Sequence, residues 1–287
     1  MASEPVKETV GTLFVVATPL GNLDDLTFRA VKCLKGVHLI ACEDTRRTAK
    51  LLNHLGIKKP LISCFEHNEH ARIDELLARI GRGEDVALVS DAGTPTISDP
   101  GFPLVRAALM RGIRVSPIPG PSALVAALSV SGLPTDEFLF AGFLPRTVAA
   151  RRTRLQRLQG HRATLVFYES PHRVVDSLAD MIAILGDRDA FLCREVTKLH
   201  EELKRGSLSE IAKDLVARVE VLGEIVLVVA GAGAEAETLT AGTMEEALRR
   251  FDAEVAMGAT PRQAAKEAAR ATGLSVRDVY AQAAGRK

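Results

Sequence analysis

Apolar residues in this chain come in short runs, and between the runs they recur at every third or fourth position. The runs at 12–17, 37–42, 61–64, 85–89 and 113–118 are rich in β-branched residues and read as buried strands. Residues 25–34, 48–55, about 71–80 and 102–111 carry the helical period, and Gly56 stops the second of these segments. Regular alternation of strand and helix predicts a mostly parallel sheet covered on both faces. The polar stretches follow the strands, so they gather at the strand carboxyl ends, where open α/β sheets place their ligands.

After Ser122 the rhythm changes. A small-residue helix is expected over 124–130, ended by Ser131 and Gly132, then a strand at 138–143 and an arginine-rich helix at 148–158. Strands at 163–168 and 190–194 flank a helix running to about 185. An antiparallel excursion begins at 202–205, and 224–229 is the last strong strand. The expected fold class is therefore α/β, with two α/β domains over 1–120 and 121–232. The stretch 231–237 lacks large apolar residues and reads as a linker. A small helical module follows over 243–287. Thr243 with Glu246 forms a capping box there and Gly258 stops that helix. Thr260 with Pro261 opens a second helix that Gly273 ends, and Ser275 with Asp278 opens a third. The last two resemble a helix-turn-helix, with a helical cap or a dimer contact as the other reading.

The densest run of turn chemistry is Ser90-Asp91-Ala92-Gly93-Thr94-Pro95-Thr96-Ile97-Ser98-Asp99-Pro100-Gly101, directly after the strand at 85–89. Two glycines, two prolines and two further aspartates make a stiff irregular loop with exposed amides and fixed carboxylates. It suits a polar small molecule with several hydrogen-bonding groups; the competing reading is a tight surface turn.

Composition narrows the classes. Formal net charge is +1, so no strong overall field draws the chain to nucleic acid or membrane, and any basic surface must be local. Four scattered cysteines, Cys33, Cys42, Cys64 and Cys193, suggest neither disulfides nor zinc and fit a reducing compartment. No apolar run is long enough to span a bilayer and residues 1–9 do not resemble a signal peptide, so a cytoplasmic protein without membrane partners is expected.

Neither dinucleotide fingerprint is present, and Ser122 lacks the hydrolase elbow because position 124 is leucine. His67 and His70 beside Glu66 and Glu69 have no third ligand cluster, and no metal site is expected. Arg146, Arg151, Arg152, Arg154, Arg157 and Arg162 form the densest basic segment. A solvated helix would look similar, but arginine in place of lysine favours bidentate phosphate contact. Aromatic residues are 4% of the chain, too few for base stacking to dominate recognition.

Six motifs occur in order: Val16-Ala17-Thr18-Pro19-Leu20-Gly21-Asn22-Leu23, Glu43-Asp44-Thr45-Arg46, the loop from Ser90 to Gly101, Pro119-Gly120-Pro121-Ser122-Ala123, Tyr168-Glu169-Ser170-Pro171-His172-Arg173, and Arg194-Glu195-Val196-Thr197-Lys198. Together they resemble the bacterial 16S ribosomal RNA cytidine 2'-O-methyltransferases of the tetrapyrrole methylase superfamily. The resemblance covers residues 12 to about 230, and the tail is similar to the carboxyl-terminal helices of that group.

It implies an S-adenosylmethionine-dependent enzyme whose cofactor lies in a cleft between the two α/β domains. Carried over by position, Pro19, Asp91, Ala92, Gly93, Thr94, Pro95, Ser98, Ser122, Ala123, Tyr168, Glu169, Glu224 and Ile225 would line it. Glu195, Lys198 and Asp44 are candidates for orienting or deprotonating a ribose hydroxyl, which is a poor nucleophile. Arg46, Arg146, Arg151, Arg154 and Arg173 are the candidate contacts to 16S RNA, expected as part of the 30S subunit, and the expected assembly is a homodimer. Two rival readings stay open: a corrin or other tetrapyrrole methylase of the same superfamily, and a non-catalytic RNA-binding assembly factor.

Overall fold

The computed structural model describes residues 10–65, 69–233, 244–272 and 274–286. Residues 66–68, the expected Thr243 cap, most of the expected linker and Gly273 lie outside the described residues.

The first α/β domain contains β1 (Thr12–Val16), α1 (Phe28–Gly36), β2 (Leu39–Cys42), α2 (Thr45–His54) and β3 (Leu61–Ser63). It continues with α3 (Glu69–Gly81), β4 (Val86–Val89), α4 (Phe102–Met110) and β5 (Arg114–Ile118). Its five strands are ordered β3-β2-β4-β1-β5 and every pair is parallel. Helices α3 and α4 pack on one face around Leu76, Ile80, Leu88 and Leu104, and α1 and α2 pack on the other around Ile40, Leu34, Leu52 and Val89. Both faces are dry, which explains why β2 and β4 are apolar without alternation.

The second α/β domain contains α5 (Ala123–Ser131), β6 (Phe138–Phe143), α6 (Val148–Leu158), β7 (Thr164–Glu169), α7 (Val174–Leu185) and β8 (Asp189–Arg194). It closes with β9 (Glu202–Ser207), α8 (Leu208–Val216) and β10 (Ile225–Val229). The order is β6-β7-β10-β8-β9, so the last strand in sequence sits in the middle, antiparallel to both neighbours. Its residues divide cleanly: Ile225, Leu227 and Val229 face the α6–α7–α8 side, while Val226 and Val228 face α5. Helix α8 was not expected. Its signature is present, with Ser207 and Glu210 forming a capping box before Leu208, Ile211 and Leu215.

Contacts divide the chain into one compact unit ending at Gly231 and another from Ala232 onward. The latter holds α9 (Met244–Ala256), α10 (Pro261–Thr272) and α11 (Val276–Ala284), packed around Ala247, Ala265, Ala268, Ala269 and Val279. Thr260 and Gln263 cap α10 reciprocally, whereas Ser275 begins α11 without a side-chain cap. Among the described residues, no helix is long and apolar enough to cross a membrane.

Arg151 corrects the reading of the basic helix. Helix α6 buries Arg151, Leu155 and Leu158 along one stripe, so this arginine faces the interior instead of RNA. Its Nε donates to Asp180 Oδ2 at 2.6 Å, with both side chains 5% exposed. Arg152 donates to the other oxygen at 2.7 Å from the surface side. Burial opposes a charge on Asp180, but the hydrogen bonds from Arg152 and Arg151 outweigh it and hold the carboxyl below its ordinary range.

Arg151→Ala is therefore expected to lower the unfolding free energy by about 3 kcal/mol, the lower part of the range for breaking a buried ion pair, because Arg152 still bonds Asp180. Urea unfolding followed by circular dichroism checks this, and a change near zero would return Arg151 to the surface.

Candidate functional site

Three polar loops meet at the carboxyl rim of the first sheet. The loop after β1 and the loop after β4 are fastened by a backbone pair: Thr18 N–H donates to the Gly93 carbonyl at 2.8 Å, and Gly93 N–H to the Thr18 carbonyl at 3.0 Å. Thr18 Oγ1 also donates to the Ser90 carbonyl at 3.1 Å. Thr94 Oγ1 donates to the Pro121 carbonyl at 3.0 Å, tying in the loop after β5.

Within the loop from Ser90 to Gly101, four residues have left-handed backbone: Gly93 at φ 81°, Thr96 at 75°, Ser98 at 62° and Gly101 at 121°. For Thr96 and Ser98 this conformation is strained, and β-branched Thr96 is the more unusual of the two. The surrounding hydrogen bonds keep the loop in place.

This rim faces the second domain across a cavity of about 330 Å³. The first domain contributes Leu20, Arg47, residues 91–94, Ile97, Ser98 and Asp99. Ser122 and Ala123 stand where the chain crosses over, and Phe143, Tyr168–Pro171, Val196 and 223–226 close the far side. Glu224 and Ile225 reach the rim from the start of a strand. They can because β10 runs against its neighbours, pairing Ile225 with Glu169 and with Arg194 at the ends of β7 and β8.

Of the expected cofactor residues, the structure brings Asp91, Ala92, Gly93, Thr94, Ser98, Ser122, Ala123, Tyr168, Glu169, Glu224 and Ile225 to this cavity. Pro19 instead lines a neighbouring hollow of about 230 Å³ with Thr18, Arg47, Lys50 and Asp91. Pro95 is buried in the loop and reaches neither. Glu169 lines the cavity only by its place in the chain. Its side chain points to the opposite face of β7, 2% exposed, where it accepts from Ser177 Oγ and Arg173 Nη2, each at 2.6 Å. Tyr168 takes the cavity side, and its phenol oxygen accepts a free first-turn amide of α5, from Leu124, at 3.1 Å. Phe140 and Phe143 pack edge-on against its ring at 4.8 and 5.7 Å.

Arg173 is largely engaged within the protein. Its guanidinium bonds Glu169, the Ser170 hydroxyl and the Leu144 carbonyl, which fixes the loop after β7. Arg46 is 87% exposed and pairs with Asp44. Arg146 is exposed, and Arg154 is half-buried beside the Arg151 stripe.

The three candidates for proton transfer sit in ion pairs. Hydrogen bonds from the Arg46 side chain and backbone hold Asp44 down at about 2. Lys198 Nζ donates to Glu195 at 2.8 Å and to Glu224 at 3.1 Å. Burial would raise Glu195 and lower Lys198, but these bonds outweigh it in both, so the acid stays ionised and the lysine protonated. The lysine stem also lies against Gly21, where an added Cβ would fall 2.1 Å from Lys198 Cγ, so Lys198 joins the two domains at the cleft mouth.

Asp99 behaves differently. Burial, then the charge of Glu43, with smaller contributions from Asp91 and Glu224, pushes its carboxyl up to about 7 against an opposing hydrogen bond from Ser90. Nothing local in the sequence marks Asp99 out, because its burial and the charge of Glu43 that shift it arise only in the fold. Its only sequence signal is membership of the same loop. Arg47, Ile97, Phe143, Val196 and Gly223 also line the cavity without having been singled out. Among the described residues, no group of three or more His, Cys, Asp or Glu could hold a metal ion.

The sequence profile of the Tetrapyrrole (Corrin/Porphyrin) Methylases matches residues 12–212. The chain is 49% identical over 283 residues to "Ribosomal RNA small subunit methyltransferase I" of Pseudomonas aeruginosa, covering 97% of this chain and 99% of that protein. It is also 49% identical over 222 residues to the Thermotoga maritima protein of the same name, covering 77% of this chain and 99% of the other. Among solved structures, uroporphyrin-III-C-methyltransferase of Thermus thermophilus superposes with a TM-score of 0.55 at 20% identity, covering 77% of this chain and 94% of that one. That likeness is one of fold.

Gly93→Ala tests the geometry of the loop. The new Cβ would sit 3.2 Å from Leu20 Cδ2 on left-handed backbone. Strain of about 1–2 kcal/mol is expected, a fall in melting temperature of roughly 2–8 °C for a domain of this size. Thermal unfolding reads it, and an unchanged midpoint would show that the loop has no left-handed requirement.

Proposed function

Because the chain belongs to the tetrapyrrole (corrin/porphyrin) methylase family, we propose that it transfers the methyl group of S-adenosylmethionine to a cytidine 2'-hydroxyl in small-subunit ribosomal RNA. The observation that carries the substrate class is near-full-length identity to proteins named for small-subunit ribosomal RNA methylation. The cavity supports the cofactor. At about 330 Å³ it is within the range of small-molecule sites. Leu20, Ile97, Val196 and Val226 supply apolar wall, while Thr94, Ser122 and the 91–93 backbone supply polar edges. Left-handed Gly93 lets the loop come close without a side chain in the way.

When bound, S-adenosylmethionine supplies an electrophilic methyl group carried on a sulfonium. The chain's own work is to bind, align and dry. A rim tied by the Thr18–Gly93 pair holds its donors in place before any ligand arrives, so little ordering is left for the bound state. Tyr168 and Phe143 exclude water from the second-domain wall.

RNA is held elsewhere. With Arg151 and Arg173 occupied internally, Arg46, Arg146 and Arg154 remain as phosphate contacts, with exposed Arg157 and Arg162 on the same segment. Few aromatics favour recognition of shape and phosphate placement over stacking on bases, and so the assembled 30S particle over naked RNA.

Labelled methyl transfer to 30S subunits, free 16S RNA and tetrapyrroles, side by side, separates this reading from a corrin methylase. Transfer to none of them favours a non-catalytic assembly factor. In the product, a methylated 2'-oxygen cannot attack the neighbouring phosphate, so one alkali-resistant step 3' to a cytidine is expected only when protein and S-adenosylmethionine are both present. A methylated nucleotide that alkali still cleaves would move the methyl group to a base. Changing Arg146 and Arg154 together to alanine should weaken RNA binding and reduce the slope of log affinity against log salt by roughly one unit or more, leaving cofactor affinity alone. An unchanged slope would place the RNA on another surface.

A further inference from the structure

We propose that Asp99 is the group that accepts the proton of the substrate hydroxyl as that oxygen takes the methyl group. The inference rests on the reading above, in which a ribose hydroxyl is the acceptor. In the step, the oxygen forms its bond to the methyl carbon, the methyl–sulfur bond breaks with its electron pair left on sulfur, and the O–H proton passes to the Asp99 carboxylate.

The geometry comes first. Asp99 lines the cavity beside Ser98, Thr94 and Tyr168, on the first-domain wall facing Glu224 and Ile225. Its backbone is fixed on both sides, by left-handed Ser98 before it and by Pro100 and left-handed Gly101 after it. A strained, proline-bounded turn that sets an aspartate in the lining of a ligand cavity is a position held for a purpose other than stability. Nor does the group serve as a helix cap, since α4 begins at Gly101 without a side-chain cap.

Elimination points the same way. Asp44 is bound to Arg46, Asp91 accepts the Asp44 amide at 3.0 Å and Arg47 at 3.5 Å, and Glu195 and Glu224 share Lys198. Glu169 faces away from the cavity. Lys198 is protonated and has no lone pair to offer. Asp99 faces Glu43 from the end of β2, Asp91 and Ser90 from the end of β4, and Glu224 from the start of β10. Tyr168 on β7 is pushed up by burial, partly offset by the Leu124 amide, and by the Asp99 charge, and so remains a phenol. Of the residues lining the cavity, Arg47 is the cation, and it is spent on Asp91. Asp99, pushed up to about 7, is thus a carboxyl that exchanges a proton near neutrality, where a general base works best.

Asp99→Asn tests this with two readouts. The first uses the protein without ligand. A carboxyl whose folded-state value lies above its unfolded one stabilises the fold when protonated, and that stability is lost as pH rises from about 4 through about 7. The melting temperature of the variant relative to the wild type should therefore climb between pH 5 and pH 8. The second is single-turnover methyl transfer to 30S subunits. Wild-type rates should fall about tenfold per pH unit below 7, while the variant at saturating S-adenosylmethionine should be roughly 100-fold slower or more and lack that inflection, with 30S affinity unchanged. A variant within threefold of an active wild type overturns the inference alone. A constant difference in melting temperature, even with activity lost, also overturns it and makes Asp99 a positioning residue. A wild type that transfers no methyl group to RNA overturns the functional reading, and this inference with it.

Discussion

The backbone pair between Thr18 and Gly93 is the constraint on which the site depends. Parallel sheets leave their carboxyl-end loops without ladder partners, and a loop holding four left-handed residues would relax if nothing opposed it. Two short hydrogen bonds join it to the loop after β1, and Thr94 joins it to the crossover loop at Pro121. Three separate loops thereby become one rigid edge. The second domain answers with a different device. Strand β10 enters its sheet in reverse and delivers Glu224 and Ile225 to the edge from the opposite chain direction.

Charge is distributed around that edge with a clear division of labour. Most carboxylates are satisfied before a ligand arrives: Asp44 by Arg46, Asp91 by an amide and Arg47, and Glu195 and Glu224 by Lys198. These pairs set the shape of the cleft mouth. The residual negative field falls on Asp99, which has burial against it and only a serine hydroxyl in its favour.

Much of this was legible in the sequence because the signals were local. Apolar runs marked the strands, turn residues marked the loops after them, and alternation gave both the parallel sheet and the rim. Part of what failed depended on a distant partner. Arg151 looks like its exposed neighbours until Asp180, 29 positions away, is placed against it. Resemblance by position puts Glu169 among the cofactor residues and Arg173 among the RNA contacts, yet alternation along β7 turns the Glu169 side chain away from the cavity to bond Arg173 and Ser177. Helix α8 carried a local signature, but its short amphipathic segment directly follows a strand and was absorbed into the antiparallel excursion. Asp99 owes its character first to burial and then to the charge of Glu43, neither of which a spacing rule supplies.

The central position of β10 also sets an order of events during synthesis. The first sheet has all its strands once residue 118 has emerged, and every one of its pairs can then form. The second cannot close until residue 229 is available, because β7 and β8 meet only through that last strand. Until then two half-sheets present bare apolar edges, the kind of surface on which chains pair with one another. A newly made chain thus carries a finished half and an open half side by side. In the interval between them the edges of β7 and β8 lack the strand that will pair both.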